Sequence, residues 1–479
     1  MTNTRRTKDR ADVFLCDGRA WDRGLLIDIG STFTKVMVIG PDGAMLGRAQ
    51  APTTIDDDVM KGVNGALDAL PAPLRGGHDW ALASSSAAGG LRMASVGLTA
   101  NLSGRAGALA AFGAGAKVVA DEHGFLDTEA IGRIDAATPH LVLLSGGLDG
   151  GNSEALLHNA RMLAGLRSTR GFIVAGNAAV SGEAVALLQD GVRDVRVVDN
   201  VFPRAGEIAM TATREAVRDL FLRHITHAKG LDGMMAAFAT ECEPTPLAVS
   251  RALPFVPANE GPVVFVDLGG ATTDVHSLGG VRDDHRAAEV PEPEVMRTVE
   301  GDLGMRWGAP GTVEAMSSSA RAAAEQQLNC DLGREAERRR ETPSFLPQSD
   351  HDRAVDCVLA QAGAATAIER HAGKVVVRHR PWGDRYHVSG KDLRPTRVLV
   401  ATGGVFRHGR DPHALMYAAL GDIQGAQSPR DPAIAVDHSY ALYAIGLLGR
   451  LAPDLARALA DQTLDCSIAS RRPREARAS

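Results

Sequence analysis

Two segments decide the fold: DIGSTFTK at residues 28–35 and DLGGATTD at residues 267–274. In each segment an apolar run leads into Asp-x-Gly, small hydroxyl-bearing residues follow, and a second apolar run continues the chain. Two apolar runs that are separated by a turn of small residues predict a β-hairpin. We therefore expect two hairpins of the same design in distant parts of the chain.

The composition of these turns suits the binding of a phosphate. Glycine lets the backbone approach a phosphate and present N–H groups to it, and Ser and Thr hydroxyls add further donors. An Asp at the end of the strand can hold Mg²⁺ through water, because Mg²⁺ prefers oxygen ligands and keeps much of its hydration shell. A single Asp-x-Gly is usually an ordinary turn, but two matching hairpins in one chain favour a shared function.

A third element is an apolar strand, residues 397–401, which ends in Thr402-Gly403-Gly404. Such a strand-to-helix turn fits a backbone that packs against adenosine. The order hairpin, hairpin, Gly-Gly resembles the phosphate-1, phosphate-2 and adenosine motifs of the actin, sugar kinase and Hsp70 superfamily. The chain has neither a Walker A motif nor a dinucleotide-binding glycine motif after a strand.

This resemblance implies an α/β protein with two duplicated, ribonuclease H-like lobes that close on ATP and Mg²⁺. It implies that Asp28 and Asp267 hold the metal shell and act in catalysis, and that Asp274 is a base or positions water. Lys35 either neutralises phosphate charge or is a solvent-facing strand residue. The residues to which the resemblance assigns nucleotide binding are Gly30, Ser31, Thr32, Thr34, Lys35, Gly269, Gly270, Thr272, Thr273, Gly403 and Gly404.

A narrower resemblance covers nearly the whole chain and rests on five blocks. They are SSSAAGGLRM at 84–93, LSGGLDGGN at 144–152, RTVEGDLGMR at 297–306, ERHAG at 369–373 and TGGVF at 402–406. They resemble the glutamate mutase accessory family, often called MutL or GlmL, which is distinct from the DNA mismatch-repair protein of the same short name. This resemblance implies an ATP-dependent accessory protein that reactivates an adenosylcobalamin-dependent mutase.

Three alternatives are weighed against this function. A small-molecule kinase of the sugar-kinase type needs a substrate-binding set, for which Asp149 and Asp302 are only loose candidates. A nucleotide-gated scaffold would bind ATP without hydrolysing it. The iron–sulfur activators of dehydratases share the fold, but the five scattered cysteines contain no C-x-x-C pair and predict no zinc, iron–sulfur or disulfide site.

Composition narrows the class of protein further. A chain of 479 residues predicts at least two domains, and 4% aromatic residues with 52 glycines favour an α/β protein over a β-sandwich. The net charge of −6 leaves no broad basic surface for nucleic acid. The N-terminus is polar and no apolar run is long enough to span a bilayer, so we expect a cytoplasmic protein without a membrane partner. The oligomeric state stays open.

We predict five segments along the chain. Strand-like runs alternate with helix-like runs in the middle, which predicts a small parallel sheet. We interpret Arg338-Arg339-Arg340 as a solvated helix face or mobile loop, and His371 and His408 as surface or satisfied core residues. The segments are a loose leader (1–22), a first lobe (23–135), an inserted αβ subdomain (136–206), a second lobe (207–465) and a basic tail (466–479).

Overall fold

A computed structural model describes residues 10–30, 32–54, 57–86, 91–114, 116–189, 193–225, 230–257, 261–280, 292–378, 385–423 and 425–464. Two compact units make up the chain. Of the described residues, unit 1 contains those within 10–252 and Leu442–Leu459, and unit 2 contains those within 253–280, 292–441 and 460–464. In these ranges no helix combines the length and the apolar character needed to cross a membrane.

The elements alternate between strands and helices along much of the chain. The strands are β1 Gly24–Ile29, β2 Phe33–Ile39, β3 Met45–Pro52, β4 Trp80–Ser85, β5 Arg92–Gly97, β6 Lys117–His123, β7 Leu141–Leu144, β8 Gly171–Val174, β9 Asp194–Val197, β10 Cys242–Pro244, β11 Val263–Leu268, β12 Thr273–Leu278, β13 Val295–Glu300, β14 Lys374–Arg378, β15 Arg385–Ser389, β16 Val398–Thr402 and β17 Ala433–Val436. The helices are α1 Arg10–Leu15, α2 Val59–Asp68, α3 Arg105–Gly113, α4 Thr128–Ala136, α5 Glu154–Ala164, α6 Ser181–Leu188, α7 Thr211–Ile225, α8 Leu231–Phe238, α9 Thr245–Ala252, α10 Ala309–Glu314, α11 Ser318–Leu328, α12 Leu332–Glu341, α13 Asp350–His371, α14 Gly404–His408, α15 Pro412–Asp422, α16 Leu442–Gly449 and α17 Pro453–Thr463.

The main sheet of unit 1 has the strand order β3-β2-β1-β4-β10. The first hairpin, β1–β2, is antiparallel, β3 extends it, and β4 and β10 continue the sheet in parallel. Side chains alternate between the two faces of a strand. Leu25, Ile27 and Ile29 therefore pack in one core with Val63 of α2, whereas Asp28 faces the other side of the sheet.

The main sheet of unit 2 repeats this topology in the order β13-β12-β11-β16-β17. The second hairpin, β11–β12, is antiparallel and extended by β13, and β16 and β17 are parallel to β11. Helix α13 begins at a capping box formed by Ser349 and Asp352 and packs against the sheet through Leu359 and Ile368. Two units of one topology confirm the predicted duplicated α/β fold.

A third sheet, all parallel, lies within unit 1 in the order β6-β5-β7-β8-β9. Helices α4, α5 and α6 cover one face of it, and α3 packs on β5, β6 and β7. The sheet begins at Arg92, whereas the sequence placed the start of the inserted subdomain at residue 136. The strand RMASVG is rich in small residues, so its hydrophobic pattern is weak.

Other boundaries also differ from the predicted segments. Residues 207–252 and Leu442–Leu459 belong to unit 1, although the sequence assigned them to the second lobe. The cause is long-range packing: β10 pairs with β4, and α16 packs so closely on α9 that a Cβ on Gly446 would lie 1.7 Å from the Ala248 carbonyl oxygen. The predicted loose leader contains α1, in which Ala11 is buried.

The expectation of a solvated arginine face is wrong for Arg339. Its side chain is fully buried, with Nε donating to Asp356 Oδ1 at 2.7 Å and Nη1 to Glu335 Oε2 at 2.8 Å. Its Nη2 also donates to the Asp352 carbonyl at 3.0 Å. A buried guanidinium is tolerated when its donors are paired in this way, and the charged pattern of α12 alone did not reveal the carboxylates of α13.

A buried polar cluster lies at the other end of β12 from its glycine turn. Lys391 Nζ donates to the Glu294 carbonyl at 2.6 Å and to Ser277 Oγ at 3.2 Å. His371 shares hydrogen bonds with Ser277 Oγ (2.8 Å) and Thr298 Oγ1 (2.9 Å), which confirms it as a satisfied core residue. Burial lowers the pKa of Lys391 to about 7 and holds the pKa of His371 well below 6.5.

In the Lys391→Met variant the free energy of unfolding will depend less on pH than it does in the wild type. The pKa of an unperturbed lysine is 10.5, so between pH 7 and 10.5 the unfolded chain binds a proton at Lys391 that the folded chain does not bind. The free energy of unfolding of the wild type therefore rises with pH through this window, and the slope becomes flatter in the variant. Urea unfolding from pH 7 to 9.5 measures it, with exposed Lys374→Met as control. Equal slopes in the wild type and Lys391→Met would contradict the assignment.

Candidate functional site

The turns of the two hairpins have the same geometry. Gly30 N–H donates to the Phe33 carbonyl at 3.1 Å, and Gly269 N–H donates to the Thr272 carbonyl at 2.9 Å. A Cβ would lie 2.7 Å from that carbonyl oxygen at Gly30 and 3.0 Å from it at Gly269. The Gly30 turn therefore needs glycine at its first position, and at Gly269 a side chain would fit only if the Thr272 carbonyl shifted by a few tenths of an ångström.

A row of polar residues crosses the main sheet of unit 1. Lys35, Asp28, Ser84 and Glu243 occupy neighbouring positions on β2, β1, β4 and β10. Asp28 Oδ1 accepts hydrogen bonds from Ser84 Oγ at 3.0 Å and Thr245 Oγ1 at 2.6 Å, and Oδ2 accepts one from Lys35 Nζ at 2.9 Å. The Asp28 carboxylate is thus buried, accepts hydrogen bonds at both oxygens and lies close to the Gly30 turn.

Glu243 is a residue of this row that the sequence reasoning missed. Its side chain is 5% exposed, and Arg251 pairs with its Oε2. Its other oxygen, Oε1, is buried and accepts no hydrogen bond from the described residues. A buried carboxylate oxygen without a partner beside Asp28 has the chemistry of a ligand for hydrated Mg²⁺ or of a water-positioning group. The signal available in the sequence was the run TECEPTP at 240–246.

Unit 2 carries the corresponding row. Asp267 lies opposite Asp274 on β12 and opposite Thr402 on β16. Thr402 Oγ1 donates to Asp437 Oδ2 at 3.3 Å. In unit 2, as in unit 1, a hydroxyl group and then a carboxylate therefore lie beside the hairpin aspartate, on or just after the neighbouring strands. Arg297 Nε donates to Asp274 Oδ1 at 2.7 Å. This ion pair occupies an acceptor that a catalytic base would need, and the role of Asp274 as base stays a prediction.

The Gly269 turn is supported by the segment that follows β13. Met305 N–H donates to the Gly269 carbonyl at 3.0 Å, and Arg306 N–H donates to the Gly270 carbonyl at 2.8 Å. A Cβ on Gly304 would lie 2.7 Å from the Gly270 oxygen, so this contact also needs glycine. Among the described residues, no acceptor pairs with the N–H of Gly270 or of Ala271. These two amides are the kind of donors that cradle a phosphate.

The Thr402-Gly403-Gly404 turn packs directly against the second hairpin. Gly403 has φ +119°, and a Cβ there would lie 2.3 Å from the Leu268 carbonyl oxygen. Helix α14 starts at Gly404 and places the Arg407 guanidinium 4.7 Å above the Tyr440 ring. Arg407 Nη1 is buried without a partner in the described part of the chain. A planar cation stacked on an aromatic ring can continue the stack with a purine base.

The threonines divide into two groups. Thr32 and Thr272 lie in the turns, with Thr32 exposed. Thr34 is buried on the α2 face and hydrogen bonds with Thr53 Oγ1 at 3.0 Å, and Thr273 donates to the Leu303 carbonyl at 3.1 Å. The alternation of side chains therefore separates Thr34 and Thr273 from the carboxylates in each sheet. Ser31 lies outside the described residues.

The loose kinase candidates take part in internal contacts. Asp149 Oδ1 accepts hydrogen bonds from Ala178 N–H and Asn200 Nδ2, both at 2.9 Å. Asp302 pairs with Arg370 at 3.0 Å, and the same guanidinium pairs with Glu300 at 2.7 Å. Burial raises the pKa of Glu300 despite this partner. The contacts of these carboxylates hold loops in place.

Comparisons with known proteins assign the chain to a family. The model of the family described as MutL protein matches residues 24–464. Protein MutL of Clostridium tetanomorphum is 35% identical over 454 residues, which cover 91% of this chain and 97% of that protein. Among solved structures, nucleotide-free acetone carboxylase matches with a TM-score of 0.42 at 13% identity, over 89% of this chain and 70% of that chain. A ROK family glucokinase from Streptomyces griseus in complex with glucose and AMPPNP matches with a TM-score of 0.31 at 11% identity, over 92% and 99%. The predicted family is confirmed, and the chain belongs to the MutL protein family.

Proposed function

We propose that this protein binds and hydrolyses ATP with Mg²⁺ and thereby reactivates an adenosylcobalamin-dependent mutase such as glutamate mutase. The observation that supports this most is the buried row of unit 1, in which Asp28 is held by three donors beside the unpaired oxygen of Glu243. Membership of the MutL family supports the choice of partner, because the sequence blocks resemble the glutamate mutase accessory proteins.

The residues present fit a hydrated Mg²⁺ ion. In unit 1, Asp28 supplies a carboxylate of the kind that Mg²⁺ prefers, and the hydroxyls of Ser84 and Thr245 hold Asp28 in one orientation. When bound, Mg²⁺ would neutralise phosphate charge. In this proposal the glycine turn of unit 1 donates N–H groups to phosphate, Lys35 adds positive charge, and Glu243 Oε1 accepts a proton from the attacking water. The water oxygen bonds to the γ-phosphorus as the bond to ADP breaks.

An accessory role gives ATP hydrolysis a physical purpose. A radical enzyme stops working when its cofactor loses the adenosyl group and the damaged corrinoid stays bound. Its release requires the subunits of the mutase to separate, and a protein whose affinity for the mutase changes with nucleotide state can drive that separation. The hydrolysis of ATP makes the cycle directional.

The test is reactivation of an inactivated mutase. Mutase that carries a damaged corrinoid is incubated with this protein, intact cofactor, Mg²⁺ and either ATP or a non-hydrolysable analogue. We expect recovery of activity and phosphate release with ATP only. Phosphorylation of a metabolite from labelled ATP would favour the kinase alternative, and recovery with the analogue would favour the scaffold. Neither hydrolysis nor recovery, with or without mutase, would overturn the proposal.

The Glu243→Gln variant will hydrolyse ATP about a hundredfold more slowly, within the range expected when a proton acceptor is removed. Its affinity for ATP should change by no more than a few-fold, because the glutamine keeps the size of the side chain. Single-turnover hydrolysis and equilibrium nucleotide binding measure the two effects. The neighbouring exposed residue supplies a control, Glu241→Gln. Equal hydrolysis rates in Glu243→Gln and the control would show that Glu243 takes no part in the hydrolysis of ATP.

A further inference from the structure

The inserted parallel sheet of unit 1 is additional to the topology that the two units share. In unit 1 the connection from β4 to β10 contains a whole five-stranded sheet, whereas in unit 2 the described residues of the equivalent connection from β16 to β17 form α14, α15 and no strand. The fold of a nucleotide-binding unit therefore does not require the insertion. The insertion includes the block at residues 144–152, which the proposed ATP chemistry does not use.

This block forms a rigid loop at the carboxyl end of β7. Gly147 and Gly150 have φ of +74° and +72°, a conformation that favours glycine. Asn177 Oδ1 accepts from Gly150 N–H at 3.0 Å, and its Nδ2 donates to the Gly151 carbonyl at 3.2 Å. Asn200 Nδ2 donates to the Gly147 carbonyl at 2.9 Å. Two buried asparagines thus hold the loop in one shape, and its Leu148 side chain is 38% exposed.

Leu148 is one of three exposed apolar side chains at the same edge of this sheet. Phe125, just after β6, is 52% exposed, and Val197, the last residue of β9, is 52% exposed. The order β6-β5-β7-β8-β9 places each of them two strands from the next. Strands lie about 4.8 Å apart, so the ends of the three strands that lead to these residues are spaced by about 10 Å along the edge.

The same edge is strongly acidic. The segments that follow β6, β7, β8 and β9 at this edge are 124–129, 145–154, 175–183 and 198–207. Together they contain seven Asp and Glu residues, one arginine (Arg204) and no lysine, and the segment after β5 adds only Arg105. Some of the carboxylates have internal partners, such as Glu183 with Arg161 at 3.8 Å and Glu207 with Arg204 at 3.6 Å, whereas Glu129 and Asp199 are exposed.

We propose that this edge, with Phe125, Leu148 and Val197 as apolar anchors, is the surface that binds the mutase. The proposal rests on the function proposed above. A preformed loop that carries an exposed apolar residue among carboxylates fits a protein surface with an apolar pocket and surrounding Lys and Arg side chains. Apolar side chains in the centre supply most of the binding free energy, and complementary charge supplies orientation and association rate.

The experiment measures binding of the full-length protein to purified mutase by titration calorimetry at low and at physiological salt. The charge variant is Glu129→Lys/Asp199→Lys, and its matched control, Asp68→Lys/Asp461→Lys, changes the net charge equally elsewhere. The apolar variant is Leu148→Ser, with exposed Leu46→Ser on β3 as control. We expect the charge variant and Leu148→Ser each to lose at least tenfold in affinity, and the controls to stay within threefold. ATP affinity should be unchanged in all four proteins, and thermal melting checks that each is folded.

The outcomes separate this inference from the proposed function. If the wild type binds and reactivates the mutase while both edge variants bind equally well, the edge is not the docking surface and the proposed function stands. If the control charge variant loses as much affinity as Glu129→Lys/Asp199→Lys, net charge rather than this edge governs binding, and the inference falls. If the wild type neither binds nor reactivates the mutase, both proposals fall. Loss confined to the edge variants, with a weaker salt dependence in the charge variant, supports the inference.

Discussion

The Asp28→Asn variant will hydrolyse ATP more slowly than the wild type by about a hundredfold or more, the size of effect seen when one preorganised charged group is removed. The wild-type carboxylate accepts hydrogen bonds from Ser84, Thr245 and Lys35. Asparagine keeps one acceptor oxygen for the two hydroxyls but removes the negative charge. Its amide group then opposes the ammonium group of Lys35, so that two donors face each other.

The same substitution will also lower stability, and this effect must be separated from catalysis. The Lys35 side chain is only 24% exposed, so the loss of its partner should cost about 1–3 kcal/mol. The double variant Asp28→Asn/Lys35→Met also removes the ammonium group that faces the new amide, and it should recover most of this loss in urea unfolding. It should not recover ATP hydrolysis. Near wild-type hydrolysis in Asp28→Asn, or recovery of hydrolysis in the double variant, would show that Asp28 acts only in stability.

Sequence reasoning succeeded where local pattern and chemistry agree. Strand β2, Phe33–Ile39, is the second apolar run of the predicted first hairpin, and β7, Leu141–Leu144, belongs to the parallel sheet predicted in the middle of the chain, because each is an apolar run between small or polar residues. The two Asp-x-Gly hairpins also form as predicted. In each turn a Cβ on Gly30 or Gly269 would crowd the carbonyl three residues further along the chain, so this preference for glycine is local.

The features that were missed depend on residues far apart in sequence. Glu243 gains its importance from β10, a three-residue strand that pairs with β4 from a distance of more than 150 residues of chain. Arg339 is buried because α13 brings Asp356 and the Asp352 carbonyl to it. Neither the pairing of β10 with β4 nor the contact of Arg339 with α13 is marked by a hydrophobic periodicity in the nearby sequence. Secondary-structure propensity and the alternation of side chains therefore could not predict them.

The threonines show an intermediate case. Hydroxyl residues near the turns were assigned to the phosphates as one group, but a strand points successive side chains to opposite faces. Ile29 pairs with Thr34 in the register of the first hairpin, whereas Asp28 pairs with Lys35. The register alone therefore separates Thr34 from the carboxylate row. The sequence already contained this information, and applying the alternation to each residue would have found it.

Gly403→Ala is expected to destabilise unit 2 by about 3 kcal/mol or more. A φ of +119° strains any residue with a Cβ, which costs roughly 1–3 kcal/mol. In addition the new methyl group would lie 2.3 Å from the Leu268 carbonyl oxygen, and relief of such a contact costs roughly another 1–3 kcal/mol. Leu268 leads directly into the Gly269 turn. Moving its carbonyl displaces that turn, so affinity for ATP should fall at least about tenfold, which corresponds to about 1.4 kcal/mol.

The adjacent glycine provides the matched control. A Cβ on Gly404 would meet only the Tyr440 hydroxyl oxygen at 3.9 Å, an ordinary contact, and Gly404 is the first residue of α14. Gly404→Ala should therefore be neutral or stabilise by up to about 1 kcal/mol, since alanine has less backbone entropy to lose than glycine. Urea unfolding and ATP titration of the two variants side by side measure the difference. Equal stability and equal ATP affinity in Gly403→Ala and Gly404→Ala would mean that the contact between Gly403 and Leu268 does not position the second turn. A large difference would show that the first glycine of the pair acts through the geometry of the hairpin beside it.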